Sequence, residues 1–188
     1  LAHLMGDGCV TRKYFSYYNQ NEVLLENYER DILFLFGKIH ITRGIMPSQT
    51  RLVQVQNKKI ISFLFGLVSD FRSSALVFPM ILSSYELKRE FLRAFYDDEG
   101  SVNLRIFKKT GEIKRNLTVS SNSIKLLEEF KRILSKDFRI MSNKMGKCVY
   151  KREGKEFINY YLSITGKENF MSFREKIGFN HPGKIKKL

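Results

Sequence analysis

Apolar residues at Leu87, Phe91, Ala94 and Phe95 stand at i, i+4, i+7 and i+8, which predicts a helix. Ser83 and Glu86 fit a capping box at its start, and three carboxylates, Asp97, Asp98 and Glu99, end it before Gly100. Val102, Leu104 and Ile106 then alternate with Asn103, Arg105 and Phe107, the period of a half-buried strand. Lys108–Glu112 (KKTGE) predicts a hairpin turn, Ile113–Ser121 the return strand, and about Ser123 to Ser135 a second helix.

The pattern occurs twice. Leu1–Val10 (LAHLMGDGCV) resembles Leu92–Val102 (LRAFYDDEGSV): an apolar helical stretch, an acidic residue, a glycine, a strand. Leu24–Arg30 (LLENYER) resembles Leu126–Arg132 (LLEEFKR), each after a strand and a cap at Asn21 or Asn122. Arg51–Phe63 and Asn159–Phe173 are each a strand running into a helix. The offset grows between the first pair of motifs and the second, so the first hairpin is the shorter one. The expected class is α+β, two pseudo-symmetric halves of order α-β-β-α-β-β-α, residues 1–78 and 79–188, joined near Ser69–Ser84.

Charge narrows the partners. The 33 Lys and Arg exceed the 19 Asp and Glu, and residues 101–188 hold 21 of the basic residues against 8 acidic ones. A polyanion is implied, with nucleic acid first. No apolar run reaches bilayer length and no signal peptide is evident, so an intracellular site is expected, in the cytoplasm or nucleoid, or in an organelle of a eukaryotic host, without membrane association. Cys9 and Cys148 read as two buried thiols. His3, His40 and His181 lack ligand spacing.

These residues resemble the LAGLIDADG homing endonucleases, of the monomeric double-motif type that introns encode, with an archaeal-like character. Leu92–Gly100 matches the nine-letter motif, and Leu1–Gly8 matches it from the second position onward. The resemblance implies saddle-shaped antiparallel sheets with the two motif helices packed at the centre. Small residues would serve that contact: Ala2 and Gly6 in one helix, Ala94 in the other, where Asp98 departs from the pattern. It implies that Asp7 and Glu99 are catalytic and hold Mg²⁺ (or Mn²⁺), with Gly6 and Asp98 contributing carbonyls. Asp97 falls outside that site. Asn19 and Ser121 stand where the family orders water near the scissile phosphate, although plain capping explains them equally well. Lys184 stands where the family places a basic group; Leu76–Ser84, the matching segment of the first half, has no Lys.

Alternating strand positions supply the DNA-reading candidates: Arg12, Lys13, Tyr14, Ser16, Tyr18, Arg43, Arg51, Gln54, Gln56, Asn103, Arg105, Lys114, Arg115, Thr118 and Ser120. Phosphate contacts are expected from Lys108, Lys109, Arg139, Lys144, Lys147, Lys151 and Arg152. The resulting expectation is a monomer without an obligate protein partner that cuts double-stranded DNA at a long site across the minor groove. The alternatives are an RNA-splicing maturase and a non-cleaving DNA-binding regulator.

Overall fold

The structure is a computed structural model, and it describes residues 1–67, 71, 79–152 and 154–188, the side chain of Arg152 excepted. The chain forms two compact units, Leu1–Arg72 and Ser73–Leu188. Most of the expected join, and the residue at its proposed boundary, lie outside the described residues. The first unit runs α1 (Ala2–Met5), β1 (Gly8–Val10), β2 (Phe15–Asn19), α2 (Glu22–Phe36), β3 (Thr42–Ile45), β4 (Arg51–Val55) and α3 (Lys58–Leu67). The second runs α4 (Pro79–Leu82), α5 (Tyr85–Glu99), β5 (Gly100–Ile106), β6 (Ile113–Ser121), α6 (Ile124–Lys136), β7 (Gly146–Arg152), β8 (Lys155–Thr165), α7 (Lys167–Lys176) and α8 (Pro182–Ile185).

Each unit contains the expected α-β-β-α-β-β-α order, and each sheet is antiparallel with the same strand arrangement, β1-β2-β4-β3 and β5-β6-β8-β7. Side chains alternate between faces, and residues paired across antiparallel strands share a face. In the first unit Phe15, Tyr17, Val53 and Val55 are buried on one face, with Leu24, Leu25, Tyr28 and Ile32 of α2 also in the core. In the second, Val102, Leu117, Val119, Leu162 and Ile164 take that role, and α6 and α7 add Leu127, Phe130, Phe170 and Phe173. The other face of each sheet is polar.

Local expectations shift in five places. Ser84, not Ser83, caps α5 by accepting from the Leu87 N–H; Ser83 donates instead to the Met80 carbonyl. The buried stripe of α5 is Phe91, Leu92, Phe95 and Tyr96, while Leu87 is exposed. Ser123, not Asn122, caps α6. Leu104 and Ile106 keep the strand period but are exposed, because β5 and β6 continue past the part of the sheet that the helices cover. Cys9 is half-buried and Cys148 exposed, contrary to the reading as buried thiols; Cys148 pairs with Asn159 on the polar face, which has no helix over it.

Candidate nucleic-acid interface and catalytic acids

In both units a helix leads into a carboxylate and then a glycine that opens a strand: Glu99 is the last residue of α5, and Asp7 stands two residues beyond α1, after its C-cap Gly6. The glycine is required by close approach. A Cβ on Gly8 would lie 2.4 Å from the Leu4 Cα, and one on Gly100 would lie 2.3 Å from the Tyr96 carbonyl oxygen. Gly100 has φ −86°, so a left-handed conformation is not the reason. Main chain from the preceding turn occupies the volume, and this fixes where the adjoining acid leaves the helix.

In the first unit Asp7 is exposed, and its carboxylate accepts a hydrogen bond from Asn19 Nδ2 at 3.3 Å. The same nitrogen donates to the hydroxyl of the buried Tyr17 at 3.0 Å, and Asn19 Oδ1 accepts the Asn21 N–H at 2.9 Å. The backbone contact sets the amide orientation, so the NH₂ group faces the acid. The Tyr18 N–H also donates to the Asp7 carbonyl. Asn19 is therefore more than a cap: Asn21 performs that task by accepting the Val23 N–H. Tyr17, absent from the sequence reading, is the anchor of this group; its burial on the helix side gave no signal of a polar role.

Ser121 repeats the turn of Asn19, since its Oγ accepts the Ser123 N–H at 3.1 Å. Glu99 closes α5. Asp97 is buried, at 1% exposure, and accepts the Asn180 N–H at 3.0 Å and the His181 N–H at 2.9 Å. It ties the segment after α7 to α5. Lys184 donates to the carbonyls of Tyr96 and Asp97 in the last turn of α5, where a cation complements the helix dipole. His181 caps α8 through Nδ1, and burial, then the Lys184 charge, lower its pKa from the ordinary histidine value.

The DNA-reading candidates separate by face. Tyr18 and Gln54 lie on the polar face of the first sheet; Ser16 shares their parity but is fully buried, so its expected role as a base reader is corrected. Arg43 and Arg51 have the opposite parity and are ion-paired with α2: Arg43 with Glu22 at 2.5 Å and Glu29 at 2.6 Å, and Arg51 with Glu22. Arg51 and Arg43 hold the Glu22 carboxyl below its ordinary pKa. Their expected role as base readers is corrected to a strand–helix tie. Arg12, Lys13 and Tyr14 fall in the loop between β1 and β2, and exposed Gln56 follows β4. In the second sheet Ser101, Asn103, Arg105, Lys114, Asn116, Thr118 and Ser120 share the polar face. Arg115, Lys147 and Lys151 have the other parity. Lys108 and Lys109 are exposed in the hairpin turn, Lys144 is exposed just before β7, and Arg139 is exposed with φ 56°. Phe107 lies under Arg105 and Lys114 at 5.0 and 4.9 Å.

Among the described residues no three His, Cys, Asp or Glu converge on one point. Asp7, exposed, and Glu99, half-buried, still fit Mg²⁺, which is usually held by one or two carboxylates, water and substrate phosphates and not by an all-protein cage.

Residues 86–178 match the LAGLIDADG-like domain family, which covers α5 through α7. The second unit therefore carries a LAGLIDADG-like domain. Its fold is similar to that of the homing endonuclease I-DmoI, with a TM-score of 0.65 at 15% identity, covering 94% of this chain and 91% of that one. I-DmoI in complex with DNA and Ca gives 0.63 at 14% identity, covering 98% and 92%. Full-length WhiA from Thermatoga maritima gives 0.61 at 11% identity, covering 94% of this chain and 52% of that one. At these identities the likeness concerns the fold. By sequence the chain is 24% identical over its full length to a replication factor C small subunit of Methanocaldococcus jannaschii. It is 34% identical over 53% of its length to the tRNA-splicing ligase RtcB of Pyrococcus furiosus. It spans about a tenth of the length of each of these relatives. No helix of the described units is long and apolar enough to cross a membrane.

Proposed function

We propose that this chain is a site-specific LAGLIDADG homing endonuclease that hydrolyses both strands of a long double-stranded DNA site across the minor groove. The observation that carries the reading is the repeated junction, where Asp7, just beyond α1, and Glu99, the last residue of α5, each precede a glycine with no room for a side chain. Such a junction fixes the direction of a carboxylate at the edge of a polar sheet. The likeness to I-DmoI bound to DNA supports the same reading.

In this proposal Asp7 and Glu99 hold Mg²⁺ or Mn²⁺ with the carbonyls of Gly6 and Asp98. When bound, the metal supplies an acidified water and neutralises charge on the phosphate. Asn19, bonded to Asp7, keeps one carboxylate oxygen oriented and presents a polar group to solvent water. Ser121 serves the second unit from the equivalent turn. Lys184 sets positive charge at the end of α5, where phosphate would approach. Tyr18, Gln54, Asn103, Arg105 and Lys114 enter the major groove, while Lys13, Lys108 and Lys109 meet phosphates.

The two curated relatives have unrelated names and share only a tenth of their length with this chain. Intron encoding, a monomeric state, the lack of an obligate protein partner and an intracellular site belong to the same proposal.

The test is cleavage of a randomised duplex library with Mg²⁺ by the parent and by the Asp7→Asn and Glu99→Gln variants. Discrete cuts by the parent, lost in both variants with binding retained, support the two-acid nuclease. Duplex binding without cleavage replaces it with a regulator, and RNA binding without cleavage replaces it with a maturase.

A further inference from the structure

The polar face of the second sheet changes character at its edge. β5 and β6 present hydroxyls, amides and cations there, but the β7–β8 hairpin presents Tyr150 beside Phe157, Cys148 beside Asn159, and Gly146 beside Tyr161. Tyr150 and Phe157 form a stacked cross-strand pair, 5.6 Å between centroids and 17° between planes, yet remain 46% and 40% exposed. Tyr161 is 40% exposed, and its ring lies across the space a side chain on Gly146 would fill, 1.9 Å from that Cβ position. Between these two aromatic positions the side-chain oxygen of Asn159 is buried without a hydrogen-bond partner.

Exposed aromatic rings on the free face of a sheet have no folding role to fulfil there. The neighbouring charge indicates what covers them. Arg105 and Lys114 stand on the same face, and the second unit holds 24 Lys and Arg against 13 Asp and Glu. The occupant is a polyanion with apolar groups at its recognition edge. In duplex DNA the group that fits is the thymine 5-methyl, the apolar feature of the major groove.

We infer that the β7–β8 hairpin is an A·T-reading element, in which Tyr150, Phe157 and Tyr161 contact thymine methyl groups. This rests on the DNA-binding part of the proposed function and names the base pairs that one strand pair selects. Phe157 and Tyr161 are four residues apart, roughly 13 Å along a strand. At ~3.4 Å per base step, the two aromatic positions would address pairs about three to four steps apart.

The experiment selects 30-base-pair duplexes from a randomised library with the full chain, in Ca²⁺ to measure binding alone. The selected duplexes are then resynthesised with deoxyuridine replacing thymidine at one position at a time. Affinity is expected to fall about fourfold at each contacted thymine, the equivalent of ~0.8 kcal/mol per buried carbon group. In the Tyr150→Ser/Phe157→Ser double variant that dependence is expected to vanish, while Phe157→Leu, which retains an apolar contact, preserves it. Full thymine-to-uracil tolerance by the parent, or unchanged methyl dependence in the double variant, overturns the inference and leaves DNA binding standing. Preference for single strands that depends on these aromatics also overturns it. Failure to select any duplex removes the DNA-binding reading itself.

Discussion

The two units share a strand order and a helix–acid–glycine–strand junction, yet they treat charge in opposite ways. In the first, strand arginines are consumed internally: Arg43 and Arg51 both reach Glu22, and Arg43 also reaches Glu29. In the second, Arg105, Lys108, Lys109 and Lys114 cluster on a long hairpin, and Lys184 braces the end of α5. The strands differ as well, with β5, β6, β7 and β8 at 7, 9, 7 and 11 residues against 3, 5, 4 and 5 for β1, β2, β3 and β4. The difference teaches which features are bound to backbone geometry and which are free to vary. The junction glycines cannot change without a main-chain collision. Charge on the polar faces meets only solvent or a partner, so one unit has turned it inward and the other outward.

The sharpest way to break the comparison is to remove one acid at a time. Asp7→Asn and Glu99→Gln are each expected to lower cleavage about a hundredfold or more, several kcal/mol of transition-state stabilisation, with duplex affinity retained. A variant that cleaves as the parent does would show that the two junctions are not functionally equivalent. Next in size are the glycines. Gly8→Ala and Gly100→Ala are each expected to cost roughly 1–3 kcal/mol in thermal unfolding, because the opposing atoms are main chain. Gly66→Ala, with nothing within 4 Å, should leave the unfolding transition at or above that of the parent. Equal effects at all three positions would show that close approach is not the constraint.

Asp97→Asn tests a feature of the second unit. It places an amide NH₂ among the Asn180 and His181 N–H donors, and about 1–3 kcal/mol of unfolding free energy should be lost. Smaller still is the charge asymmetry. Replacing Lys108 and Lys109 with Glu should flatten the dependence of log affinity on log salt by about 0.9 per phosphate contact removed, more than the same change at Arg12 and Lys13. Equal slopes would mean that both units contribute alike. The mildest effect concerns His181. Its folded pKa is lowered, so the unfolded chain binds the proton more readily; this contribution is present above about pH 6.5 and is lost as pH falls below it. His181→Asn, which can keep the cap, should reduce that part of the acid sensitivity in pH-dependent unfolding.

The sequence by itself determined the repeat, the element order, the two acids and the glycines after them. These follow from local periodicity and from residue types that only a helix-to-strand junction requires. It also identified Asn19 and Ser121 by position, though not the Tyr17 hydroxyl that holds Asn19. Tertiary structure alone decided the fate of charge. Arg43 and Arg105 read alike as polar strand positions, yet one is tied to α2 and the other lies on an open face, because face and partner depend on register and on which helix covers the sheet. The same applies to Asp97 and Lys184, whose partners come from segments more than 80 residues away along the chain. It applies equally to the aromatic column of β7–β8, whose members become neighbours only through cross-strand pairing. Local pattern encodes what a residue does to its own backbone; contacts across the fold are set by packing, which no short window of sequence contains.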